Sequence, residues 1–98
     1  MTKDVLPGTR NKNYTDQQAI VGQHPGYVVP KALEAAVCIF MQYVSSAKRL
    51  YGDNPWTYTR CQEATQGYQI GVGGFSPGGL RVNDEYIHED VGVGALRK

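Results

Sequence analysis

The chain has 98 residues, 41% of them hydrophobic, enough for one domain around one core and too few for a second independently folded unit. Ten basic residues against nine acidic ones leave a net charge of +1, which argues against phosphate neutralisation or binding to anionic lipid as the main source of affinity. Nucleic acid and membrane are therefore set aside as partners, while a chain that buries only about 60 to 65% of its unfolded surface gains from self-assembly or a protein partner.

Residues 1–14 are polar, contain Pro7 and Gly8, and follow neither a helical nor a strand period, which predicts an extended arm able to order on a partner. An apolar signal segment is missing there, so the expected setting is cytoplasmic and not secreted. The longest apolar run, residues 35–41, is far short of the roughly 20 needed to span a bilayer. Thr15 followed by Gln18 is an N-cap pattern for a short helical turn ending at Gly22.

Pro30 then opens the strongest element. Leu33, Val37, Phe40, Val44 and Ala47 recur at helical spacing, predicting one long central helix of about 20 residues with Lys48 and Arg49 in its last turn and Gly52 as a left-handed cap. Ala35, Ala36, Cys38, Ile39 and Met41 make the helix apolar on nearly every side. Such a helix needs cover on more than one face, and a second subunit is the expected cover, the alternative being the chain's own strands and N-terminal segment.

Beyond the turn at Asp53, Asn54 and Pro55, residues 56–59 read as a short strand, and Tyr68, Ile70 and Val72 alternate as a second. Ser76, Pro77, Gly78 and Gly79 supply a type II turn into a third run at residues 80–82. Residues 83–90 read as an acidic helical turn or an edge, and 91–96 as a loose apolar tail, either a short edge strand or an arm that docks on a neighbour. The predicted fold class is α+β, a single domain with the long helix packed on a small antiparallel sheet or hairpin.

Chemistry is sparse. Cys38 reads as core, Cys61 lies between Arg60 and Gln62 with no C-x-x-C partner, and His24 sits in a loop. Asp84, His88 and Asp90 match no metal-ligand spacing, and residues 71–79 carry glycines without the lysine or the following helix that a phosphate loop requires. Trp56, Tyr58, Tyr68, Arg60 and Arg81 are the one set able to stack on single-stranded nucleic acid, and packing against the helix is the better use of those rings. No catalytic, cofactor or metal residues are assigned, and the chain reads as non-enzymatic. The predicted interface is instead the glycine-rich stretch, with Phe75 at its tip flanked by Gly73, Gly74, Ser76 and Pro77, together with Leu96 in the tail.

A helix opening on Val29, Pro30, Lys31, Ala32 and Leu33, a later Glu63 followed by Gly67, Tyr68 and Ile70, and a basic end at Arg97 and Lys98 together resemble small head-tail connector (adaptor) proteins of tailed bacteriophages. The likeness runs over residues 29–72. It implies a non-enzymatic virion assembly subunit, a homo-oligomeric ring contacting other proteins, found in the virion or the host cytoplasm. The alternative is a monomeric binding or inhibitor protein acting through the glycine-rich loop. A small enzyme or ligand-binding module using Cys61 or His88 ranks third.

Overall fold

The computed structural model describes residues 1–53, 56–65, 68–85 and 91–97. Two helices, α1 (Tyr14–Gly22) and α2 (Ala32–Ser46), stand with six strands: β1 (Tyr27–Val28), β2 (Tyr58–Thr65), β3 (Tyr68–Ser76), β4 (Gly79–Glu85), β5 (Val91–Gly92) and β6 (Leu96–Arg97). The fold is α+β. Strands order as β4-β3-β2-β5 in one sheet and β1-β6 in a second. β5 runs parallel to β2, so the larger sheet is mixed and not purely antiparallel as expected.

The long central helix of the sequence reading is not found: α1 has 9 residues and α2 has 15. α2 stops early because Ser45 and Ser46 turn their hydroxyls back onto the Gln42 carbonyl at 3.2 and 2.7 Å, competing with the backbone ladder. Ala47, not Gly52, then takes the left-handed cap at φ 59°. Its N-terminus is held by two carboxylates, Glu34 accepting from the Lys31 amide and Glu63 of β2 accepting from the Ala32 amide, both at 2.8 Å. Negative groups there satisfy open N–H donors and oppose the positive end of the helix dipole. α1 begins two residues earlier than expected, capped by Asn13, whose side chain accepts from the Asp16 amide.

The expected N-terminal arm lies against the chain's own residues 91–95. The amides of Thr2, Leu6 and Asn11 donate to the carbonyls of Ala95, Val93 and Val91, while the Thr2 and Thr9 hydroxyls accept from the amides of Ala95 and Val93. Gln17 of α1 ties both segments together, donating to the Thr9 and Val91 carbonyls. Val21, Val29, Val93 and Ala95 pack into a small core beneath this strap, and the tail therefore docks internally.

The larger core lies between α2 and the sheet, where Ala35 and Ile39 meet Tyr51, Cys61, Val72 and Phe75. Ile70 and Val72 reach it by strand alternation, but Phe75 is out of step with them by one residue. The β3–β4 register shifts between Gly73 and Ser76, and Gly74 sits in the left-handed region at φ 56°. A bulge of this kind changes which face later side chains occupy, and only glycine accepts that φ cheaply.

Candidate functional site

The bulge overturns the predicted interface. Phe75 is 5% exposed and lies against α2, its ring centroid 5.3 Å from that of Phe40 and 5.1 Å from that of Tyr43. Gly73 and Gly74 are buried in β3, and the Gly74 amide donates to the Thr57 carbonyl. A phenylalanine on a left-handed bulge can turn under a helix, whereas the sequence reading assigned the glycines to a flexible tip. Ser76 and Pro77 do lie at the β3–β4 turn, with Pro77 exposed and the Ser76 hydroxyl accepting from the Gly78 amide. Leu96 is half-buried in the other sheet, opposite Val28. Phe75, Gly73 and Gly74 are thus buried, while Pro77 is exposed at the turn and Leu96 lies in the other sheet.

The other candidates are dispersed too. Tyr58 and Arg60 are buried, with the Arg60 guanidinium donating to the Lys12 carbonyl, while Trp56 and Tyr68 are exposed and Arg81 lies 4.9 Å over the Trp56 ring. His24 is exposed, its Nδ1 3.0 Å from the Ile20 carbonyl oxygen. His88 and Asp90 lie outside the described residues, and among the described residues no three His, Cys, Asp or Glu side chains gather as a metal set.

Among the described residues, two clefts have a volume of about 530 Å³ each. One is lined by Asp4, Arg10, Arg49, Asp53 and Thr57, and there Arg10 is already engaged, 3.7 Å from Asp4 and donating to the Thr57 hydroxyl. The other lies between α1 and β1, beside Tyr14, Gln18, Tyr27 and Gln62. The titration shifts do not favour nucleophilic chemistry. Burial pushes the Cys61 thiol up to about 12, with the Glu63 and Glu34 charges adding to it, and pushes Tyr51 up to about 12 and Tyr14 upward. Activated nucleophiles require the opposite direction.

What stands out is the outer face of α2. Ala35 and Ile39 face the core, with Ala32 and Ala36 against it, and on the far side Leu33 is 75% exposed, Met41 63% and Val44 79%, with Val37 half open. Phe40 and Tyr43 edge this face while covering Phe75. The stripe that the sequence marks most clearly is thus the one turned away from the sheet. It carries no charge, Glu34 being the lone charged residue within α2. Among the described residues no helix is long and apolar enough to cross a membrane. Set against protein-family models, curated proteins and solved structures, the chain matches none.

Proposed function

We propose that this protein is a non-enzymatic structural or assembly subunit that forms a homo-oligomer through the outer face of α2. The carrying observation is the uncovered row of Leu33, Val37, Met41 and Val44, on a helix whose opposite side already packs on the sheet. With the flanking Phe40 and Tyr43, this row leaves on the order of 700 Å² open, above the few hundred Å² typical of the largest apolar patch on a monomer. Resemblance to head-tail connectors over residues 29–72 extends the proposal to a phage virion subunit, in the virion or the host cytoplasm, that also contacts other proteins.

Sedimentation equilibrium at micromolar concentration tests it. The wild type should exceed the 10.8 kDa of one chain, and Val44→Asp should return it to that mass with an unchanged circular dichroism spectrum. A wild type that sediments as a monomer across the concentration range refutes self-assembly. A mass of many subunits supports the connector ring, whereas a dimer supports assembly without it.

A further inference from the structure

Resting on the self-assembly reading above and not on its connector-ring extension, which a closed two-fold pair through this face does not build, we infer that the α2 face is covered by the same face of a second copy, the two helices running antiparallel about a two-fold axis. Leu33, Val37, Phe40 and Val44 are spaced by four, three and four residues, the a/d seam that one helix offers to another. The buried Ala35 and Ile39 fall on the far side of that seam. Within the described residues α2 alone carries such a seam, since α1 is nine residues long and holds Asp16, Gln17 and Gln18 at its middle. A second α2 is therefore the matching helix within this chain.

Size and charge agree with that occupant. Two copies together would bury at most on the order of 1,400 Å², an upper bound that falls within the range of stable protein–protein interfaces. A two-fold contact sets one patch against itself, and the absence of charge on the seam means that no like charges meet there. Direction follows from the helix ends. Parallel packing would bring Lys48 and Arg49 of both copies together with the helix dipoles aligned. Antiparallel packing opposes the dipoles and separates the two basic ends, each then lying near the first turn of the other copy, where the Lys31 cap and Glu34 offset one another. The layers are then Leu33 against Val44 and Val37 against Phe40, with the two-fold axis between residues 38 and 39.

Disulfide trapping reads the arrangement directly. In a Cys38→Ser background, Leu33→Cys and Val44→Cys are made separately, mixed, and oxidised mildly before non-reducing electrophoresis. Cys61 is buried, and Gln18→Cys on the exposed side of α1 serves as the collision control. The inference expects a covalent dimer in the mixture, well above that of either variant alone or of the control. Self-linking of Leu33→Cys alone and of Val44→Cys alone would mean a parallel pair and overturn it. If no cross-link forms while the wild type still sediments as an oligomer, the antiparallel seam is wrong and self-assembly stands. A monomeric wild type removes both.

Discussion

Truncating Phe75 should strongly destabilise the fold and not merely loosen an assembly. Its side chain is 5% exposed and touches two rings of α2, so Phe75→Ala removes a buried aromatic together with both ring contacts. Core Phe→Ala changes cost about 3 to 5 kcal/mol, and domains of this size hold about 5 to 15 kcal/mol in total. Near 100 residues each kcal/mol moves Tm by roughly 4 to 8 °C, so the expected fall is about 12 to 40 °C. The comparison is best made on Val44→Asp as parent, so that association does not enter the measured stability. Urea denaturation and thermal melts by circular dichroism give the value, and Phe75→Leu, which keeps most of the volume, should lose less than half as much. A Tm within about 3 °C of the parent for Phe75→Ala would refute the buried assignment and restore the exposed loop.

Two further outcomes follow from the cap and the buried thiol. Ala47→Gly should raise stability by about 0.5 to 1 kcal/mol in urea denaturation, because Ala47 holds φ 59° at the end of α2, where glycine has no steric penalty; a loss of stability would contradict that cap geometry. Cys61 and Tyr51 are neutral when protonated and are both held at about 12 in the fold, from ordinary values of 9.0 and 10.0. Stability is thus complete below pH 9 and is lost as pH rises toward 12, by about 1.4 kcal/mol per pH unit for each group titrating in the unfolded chain. Cys61→Ala should delay the onset of that fall from near pH 9 to near pH 10, and melting curves flat through pH 11 would show that neither group is held as described.

Much of the helical content was legible in the sequence, but its orientation was not. The stripe at Leu33, Val37, Phe40 and Val44 is visible because spacing reports a face, and the end of α1 at Gly22 follows from composition. Spacing does not say which of two apolar faces a sheet will cover. Here the small Ala35, with Ile39, lies on glycine-rich β3, and the larger residues face outward. Phe75 escaped for a different reason: strand alternation from Ile70 and Val72 fixes its side only if the register is unbroken, and the left-handed bulge at Gly74 breaks it. A run of glycines looks the same whether it is a free tip or a strand that bends. The strap formed by residues 1–12 had no periodic signal, since it is held by backbone amides and by the single hydroxyls of Thr2 and Thr9.

That strap sets an order of events during synthesis. The bonds joining Thr2 to Ala95, Leu6 to Val93 and Asn11 to Val91 link positions at opposite ends of the sequence, and loop closure over such distances is slow compared with forming a helix or hairpin. As the chain leaves the ribosome, α2 and the β2–β3 hairpin have all their local partners well before residues 91–95 emerge. Until then Val21 and Val29 lack Val93 and Ala95, and the amides of Thr2, Leu6 and Asn11 lack their carbonyl partners. The nascent protein therefore carries two open apolar surfaces, the unfinished small core and the outer face of α2, and only the first closes when the strap is set. The second persists in the folded molecule, and under the proposed self-assembly a neighbouring copy translated from the same message is its nearest source of cover.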